Sequence, residues 1–434
     1  MEQIYKGKKV VIMGLGLHGG GVAAAKFFCS QGSEVLVTDL KTKDQLADSI
    51  EKLSGLPIKY ALGGHSQEDF LTADLIVKNP DVPWSSPYIE IAKNHNIEVQ
   101  TDISLFFKLS GAFVIGVTGT KGKTTTASLI YHLLKTKFEN LFLAGNIGIS
   151  TFELLDKVKA ADKVVLELSS FELEGLDVCP NIAVVTNIMQ DHLNRYSGMQ
   201  DYIEAKKNIF KFQNPDDALF LNEDDSIVRQ FGAQAKSKVI FFSGKKIDLS
   251  GMKIFGDHNK ANVAAAIAVA EFLGVNSSDI GKSLKTFSGP PSRQEFVAQV
   301  GGVKYFNDTT ATIPEAVVAA IDAFSSRFPA AKMFLICGGV YKGVDYLEMA
   351  EKIKEKSVFV ILLPGNASEK IKEHLSDYKD IAEVSSMQEA VKTTSEMAKA
   401  GDLAVLSPAA SSFNMFKNEF DRGDQFIKAV KSLE

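Results

Sequence analysis

An α/β fold arranged as three domains follows from three features of the chain. Short runs of Val, Ile and Leu alternate with longer amphipathic stretches along its length. Such runs suit strands covered on both faces, as in parallel sheets flanked by helices. Two of the runs feed directly into glycine-containing loops that open helices, at 14–19 and 119–122. An amphipathic run gives way to a new strand near 107–111, and Gly289-Pro290-Pro291 breaks the pattern again further on. The expected domains are therefore 1–109, 110–289 and 290–434.

Strands are expected at 9–13, 34–38 and 74–78 in the first block. The second carries 113–118, 163–168 and 182–187, and the third 332–337, 358–363 and 403–406. Each is a β-branched or leucine-rich run bounded by polar or glycine residues. Helical periodicity follows most of them, which is the βαβ alternation.

Composition narrows the function classes. The chain has 434 residues, 45% of them hydrophobic, and a net charge of −5. That charge gives no general attraction to nucleic acid or to an anionic membrane. Cys29, Cys179 and Cys337 are odd in number and far apart, so neither a disulfide framework nor a zinc site is indicated. The N-terminal MEQIYKGKKVVIMGLG breaks into a glycine turn too early for a signal peptide, and no apolar stretch is long enough to span a bilayer. A cytoplasmic protein with no membrane insertion is expected.

In the first block, Gly14-Leu15-Gly16-Leu17-His18-Gly19 is a complete G-x-G-x-x-G between a strand and a helix. The arrangement is Rossmann-like. Its glycines let backbone approach a pyrophosphate, and the helix N-terminus supplies amide donors. Asp39 stands about 20 residues on, placed to accept from a ribose hydroxyl. The motif alone does not choose between NAD and another nucleotide diphosphate.

In the second block, Thr118-Gly119-Thr120-Lys121-Gly122-Lys123-Thr124-Thr125 joins a strand to a helix. This is P-loop placement. Amides of the loop cradle phosphates, Lys123 reaches the β and γ oxygens, and Thr124 holds Mg²⁺. Val117 occupies the usual first glycine position. Glu167 ends a buried run, where α/β folds place ligands, and Glu167 and His192 suit a phosphate-bound Mg²⁺ or Mn²⁺. A P-loop has no part in hydride transfer, which argues against an NAD-dependent dehydrogenase.

TGTKGKTT resembles the P-loop of the Mur ligases and folylpolyglutamate synthetases, with Lys121 in place of the usual Asn. Further family-like stretches follow in order: AGNIG with Gly145 and Asn146, VLELSSFELE with Glu167, TNIMQDHLNRY with His192, YIEAKKNIF with Lys206, GDHNKANVAAA with His258, Asn259 and Asn262, then PPSRQEF, NDTTAT and SPAASSFNMFKNEFDRG. They span nearly the whole chain. Folylpolyglutamate synthetases lack the N-terminal nucleotide domain, so the resemblance is to Mur ligases. LELSSF, DHLNRY and the GLGL loop are most like the members that add D-glutamate to UDP-N-acetylmuramoyl-L-alanine (UDP-MurNAc-L-Ala).

The resemblance implies a ligase that phosphorylates the substrate carboxylate with ATP and lets the amine of D-glutamate attack the acyl phosphate. It implies ATP contacts at 119–125, His258, Asn259, Asn262, Arg293 and Asp308. UDP-substrate contacts fall at Gly14, Leu17, His18, Asp39, Leu40, Lys41, Gly145, Asn146 and His192. Metal ligands are Thr124, Glu167, His192 and Lys206, with Lys206 carbamylated into an anion. From the residues alone, Lys206 and Lys207 read as an ordinary exposed helix face. The third domain is implied to be Rossmann-like and to hold the acceptor through Thr312, Lys342, Ser412 and Phe413; a cation with hydroxyl and amide donors suits a dicarboxylate. A monomer is expected. Departures cluster at the acceptor side: Thr310 stands where the family often has Lys, Gln294 follows Arg293, and Phe420 is displaced behind Glu419. His18 replaces a small hydroxyl residue. L-glutamate or another acidic acceptor, and a non-catalytic nucleotide-binding relative, stay open as alternatives; the intact Lys123, Thr124, Glu167, His192 and Lys206 set speaks against the latter.

Overall fold

Three sheets carry the fold, each built from a contiguous stretch of sequence. The computed structural model describes residues 3–192 and 195–433; Leu193 and Asn194 of the DHLNRY stretch lie outside the described residues. The first sheet contains β1 (Lys9–Met13), β2 (Glu34–Asp39), β3 (Ile58–Leu62), β4 (Leu75–Lys78) and β5 (Glu98–Gln100), in the order β3-β2-β1-β4-β5, all parallel. The order reverses at β1, so the crevice at its C-terminal end is a topological switch point.

The second sheet contains β6 (Phe113–Thr118), β7 (Leu141–Gly145), β8 (Lys163–Glu167), β9 (Ile182–Val185), β10 (Ala218–Asn222) and β11 (Lys238–Phe242). Its order is β11-β10-β9-β6-β8-β7, again parallel throughout. β6 lies between β8 and β9, and its residues after Phe113 are all buried. The third sheet contains β12 (Glu295–Val300), β13 (Val303–Asn307), β14 (Met333–Cys337), β15 (Phe359–Leu362), β16 (Ile381–Glu383) and β17 (Leu403–Leu406), ordered β12-β13-β17-β14-β15-β16.

One pairing departs from the all-parallel expectation. β12 and β13 form an antiparallel hairpin closed by Gly301 and Gly302, whose φ angles are 57° and 81°. Two successive left-handed residues match the twist of a tight hairpin, and glycine takes them without strain. A Cβ at Gly302 would also lie 2.6 Å from the Ala400 Cβ.

The chain divides into two compact units. One comprises residues 1–247 and 261–280 and holds the first two sheets; the other comprises 248–260 and 281–434 and holds the third. A short stretch of the middle block, carrying His258 and Asn259, thus belongs with the third sheet, while Asn262 belongs with the first two. Within the first unit one core runs from β1 and the helix Gly20–Ser30 through the helix Asp102–Ser110 to β8 and the helix Met199–Lys211, and another gathers Val11, Met13, Phe70, Ile76, Ile89 and Ala92 on the other face of the first sheet. The third sheet has a core on each face, one gathered on the helix Pro314–Arg327 and the other on the helix Glu419–Lys431. Among the described residues no helix is long and apolar enough to cross a membrane.

Candidate active site

The loop after β6 is shaped by glycines that admit no side chain. A Cβ on Gly119, at φ 148°, would lie 1.9 Å from Thr186 Oγ1, and one on Gly122, at φ 82°, 2.2 Å from Asn262 Oδ1. Those neighbours hold the loop. Thr186 Oγ1 donates to the Lys121 carbonyl (2.7 Å), Asn187 Oδ1 accepts from Lys121 N (2.8 Å), and Asn187 Nδ2 donates to the Lys121 carbonyl (2.9 Å). Asn262 Oδ1 accepts from Thr126 Oγ1 (3.1 Å) on the helix Lys123–Leu134. Lys123 Nζ curls back onto the Gly119 and Thr120 carbonyls at 3.1 and 3.0 Å. The Thr124 hydroxyl stands at the first turn of that helix, where amides and the helix dipole favour phosphate.

Glu167 is the last residue of β8 and is only 2% exposed. Its Oε1 accepts from Asn146 Nδ2 (3.2 Å), while Oε2 is buried with no hydrogen-bond partner. A buried carboxylate oxygen left unsatisfied is costly, and a cation is the natural partner for it. Gly145 and Asn146 reach this point because β7 pairs with β8: a Cβ on Gly145 would lie 2.2 Å from the Glu167 carbonyl.

Lys206 corrects the exposed-face reading. It lies on the inner side of the helix Met199–Lys211, 1% exposed, and its Nζ donates to the Gly119 carbonyl at 2.8 Å. Lys207 instead pairs with Glu204 Oε1 at 2.8 Å on the outer side. Burial, aided by Lys123, pushes the Lys206 ammonium well below its ordinary range, against the pull of Asp191, Glu172 and Glu167. His192 faces the same cluster in a left-handed conformation (φ 54°). Burial lowers its pKa, with Lys123, Lys206 and Lys121 adding to the effect and Asp191 opposing it, so the imidazole is held in the neutral, metal-ligating form. Among the described residues no three His, Cys, Asp or Glu side chains converge.

At the C-terminal end of β1 the glycine loop meets Asp39. Asp39 is 5% exposed, and both its oxygens are engaged: Oδ2 accepts from Gly16 N (3.1 Å) and Oδ1 from Lys41 N (2.9 Å). Its first task is thus to hold two loops together. Leu17 and Leu40 flank that bond, 46% and 71% exposed, with His18 and Lys41 exposed beside them. Close backbone approach falls at Gly21, where a Cβ would lie 2.4 Å from the Leu15 carbonyl; Gly19, the last glycine of the fingerprint, has nothing within 4 Å.

In the second unit, Asp308 follows β13. Its Oδ1 accepts from Gln294 N (3.1 Å) and its Oδ2 from Ser407 Oγ (2.9 Å). Burial pushes its pKa to about 7 despite these bonds and the nearby, exposed Arg293. Lys342 Nζ donates to Thr312 Oγ1 at 3.4 Å, which brings two expected acceptor residues together. Ser412 is buried and Phe413 exposed. Arg422, which carried no expectation, is fully buried and donates to Thr309 Oγ1 (3.0 Å), the Thr309 carbonyl (2.8 Å) and the Ala410 carbonyl (3.0 Å). It fastens the 309–312 loop to the 409–413 loop. Asn259 Nδ2 donates to the Phe255 carbonyl (2.8 Å) and lies 3.2 Å from His258 Nε2.

Comparison with known proteins identifies the family of the chain. Family models match over three stretches: the N-terminal domain of MurD-like Mur ligases over 8–101, the Mur ligase middle domain over 117–249, and the Mur ligase glutamate ligase domain over 292–410. The chain is 37% identical to the UDP-N-acetylmuramoylalanine–D-glutamate ligase of Roseiflexus sp., covering 98% of this chain and 99% of the relative. It is 36% identical to the enzyme of the same name from Geotalea daltonii, covering 99% and 98%. Among solved structures it is similar in fold to the UDP-N-acetylmuramate-alanine ligase MurC of Thermotoga maritima, with a TM-score of 0.65, 19% identity and 98% and 100% coverage. MurF from Acinetobacter baumannii gives a TM-score of 0.61 at 14% identity, covering 100% of this chain and 92% of that one.

Proposed function

The chain belongs to the Mur ligase family, and from that premise we propose that it joins D-glutamate to the carboxylate of UDP-MurNAc-L-Ala at the expense of ATP, in peptidoglycan precursor synthesis in the cytoplasm. Residues 1–109 bind the UDP end, 110–289 bind ATP, and 290–434 bind the amino acid. The observation that carries the reading is the orphaned Glu167 Oε2, buried at the end of β8 in the same charge cluster as Lys206 and the phosphate loop.

The reaction runs in two steps. The substrate carboxylate attacks the γ-phosphorus of ATP, ADP leaves, and an acyl phosphate forms. The amine of D-glutamate then adds to the acyl carbon, and the tetrahedral adduct expels phosphate and a proton. Gly119, Thr120, Lys121, Gly122, Lys123, Thr124 and Thr125 hold the phosphates through amides, hydroxyls and the Lys123 ammonium. Asn262 braces the loop, and His258, Asn259, Arg293 and Asp308 complete the ATP contacts. Thr124, Glu167, His192 and modified Lys206 would hold a divalent cation, which would supply charge neutralisation at the transferring phosphoryl group. Lys206 is fitted for modification: depressed basicity favours the neutral amine, whose nitrogen would form a bond to CO₂ and release one proton, giving a carbamate anion. Leu17 and Leu40 flank the uracil ring, with Gly14, His18, Asp39 and Lys41 around the ribose and pyrophosphate. Gly145, Asn146 and His192 position the muramoyl end. Thr312, Lys342, Ser412 and Phe413 hold the carboxylates of the acceptor, and a single chain carries the whole set.

Phosphate release from ATP tests the reading, with Mg²⁺, UDP-MurNAc-L-Ala and D-Glu, L-Glu or D-Asp compared. Release that needs both the UDP substrate and D-Glu is expected. Release with L-Glu in its place would reassign the acceptor and implicate the Gln294, Thr310 and Glu419 departures; no release with any acceptor would refute the proposed substrates.

A further inference from the structure

The first two sheets meet at a junction that the reaction scheme leaves unused. Asn79, just after β4, packs against the glycine loop of β1: a Cβ on Gly14 would lie 2.8 Å from the Asn79 Cβ, and Asn79 Nδ2 donates to the Gly14 carbonyl (3.4 Å). Five residues on, Trp84 crosses to the middle block. Its indole donates to the Glu174 carbonyl (2.7 Å) and lies so close to Gly175 that a Cβ there would sit 2.6 Å from the ring. Lys78 and Lys93 place their ammonium groups 4.9 and 4.5 Å from the ring centre.

Arg195 spans the same junction from the other side. Its guanidinium donates to the carbonyls of Asp81 (2.6 Å), Pro80 (3.3 Å) and Val82 (3.5 Å), and to Glu174 Oε2 (2.8 Å). The side chains of Arg195 and Glu174 are mostly buried, where a forked cation bonded to four oxygens is strongly directional. Arg195 is also tied to the metal-site residue three positions earlier. Its backbone N donates to the His192 carbonyl (2.9 Å), and its guanidinium lies 4.7 Å from the centre of the Phe171 ring, itself 4.9 Å from the His192 ring.

We propose that Arg195 is a positioning residue that fixes the distance between the glycine loop and His192, and so sets the length of UDP-linked substrate whose carboxylate reaches the phosphoryl site. This rests on the reading that the glycine loop holds the UDP end. A substrate anchored at both places reacts only if the anchors are in register, and an error of about 1 Å costs on the order of 10²-fold in rate. Arg195 supplies the register, because its guanidinium binds the loop that abuts Gly14 while its backbone N donates to the carbonyl of His192. Lysine at this position keeps the charge for Glu174 but cannot serve the three carbonyls as well.

Trp84 is the only tryptophan of the chain, so its emission reads the junction directly. The experiment uses the full-length enzyme carrying Arg195→Lys or Glu174→Gln. Trp84 emission is expected to shift in both variants without substrate. The kcat/KM for UDP-MurNAc-L-Ala should fall by about 10²-fold in Arg195→Lys and less in Glu174→Gln, while KM for ATP stays within about twofold. An Arg195→Ala enzyme should regain part of its kcat in millimolar ethylguanidinium. Unchanged kcat/KM in both substitutions overturns the proposal. So does an equal loss of ATP and UDP-substrate parameters with a lowered melting temperature, which marks general loosening. Should the wild-type enzyme not turn over UDP-MurNAc-L-Ala, the substrate reading fails by itself, and unshifted Trp84 emission in both variants would still refute the role of Arg195 in holding the loop.

Discussion

Lys206 and Asp308 are buried ionisable groups whose surroundings oppose their charge. Replacing Lys206 with Ala should abolish ligation, and acetate or another small carboxylate should restore part of it by occupying the place of the proposed carbamate; activity near wild type would remove Lys206 from the site. For Asp308 the consequence is a pH-dependent stability. Its folded pKa of about 7 lies above the ordinary carboxylate value, so the folded state binds the proton more tightly than the unfolded chain. Stability falls as pH rises between about 4 and 7, then levels off. Asp308→Asn keeps an acceptor for Gln294 N and a donor toward Ser407, so it should stabilise the protein by about 2–4 kcal/mol at pH 8 and by little at pH 4. Urea titrations at the two pH values give the difference, and equal midpoints at both would refute it. Neither environment is legible in the chain. Lys206-Lys207 is an unremarkable pair in a polar helix, and only the packing of that helix under β6 decides which lysine turns inward.

For the elements, legibility follows burial. The expected strands that form are all interior ones, made mostly of apolar residues. Those without a sequence expectation include every sheet edge: β3, β5, β7, β11, β12 and β16. Edge strands are short or half-exposed, as in IKYAL and EVQ, and so lose the continuous apolar signature. β10 and β13 are interior and were also without one; Lys304 and Asn307 interrupt β13. The two glycine loops were legible as phosphate-binding turns, but not which glycine each needs most. Gly119→Ala should cost about 1–3 kcal/mol and disable ATP turnover, because both the φ angle and Thr186 Oγ1 forbid the methyl group. Gly19→Ala, with φ 92° and open space, should cost only about 1 kcal/mol. Denaturation midpoints that rank the two in the opposite order would contradict this assignment.

Taken as a whole, the first unit places the two proposed nucleotide crevices on two separate sheets, so loss of one ligand need not follow loss of the other. Lys123→Ala should lower ATP turnover by about 10²-fold or more while calorimetry finds the affinity for UDP-MurNAc-L-Ala largely unchanged. Equal loss of both would contradict the division of labour between β1 and β6. The second unit carries a different consequence, written in strand order. β17 lies between β13 and β14, so the last strand to leave the ribosome is the one that joins the sheet's two halves. A nascent chain halted after β14 but before residue 403 presents two unpaired apolar edges, on β13 and on β14. Such edges invite chaperones and proteases. A copy shortened before β17 is therefore expected to be cleared faster than the full chain, so the sheet itself would act as a check on length, and pulse-chase lifetimes of a chain ended at residue 402 would measure it.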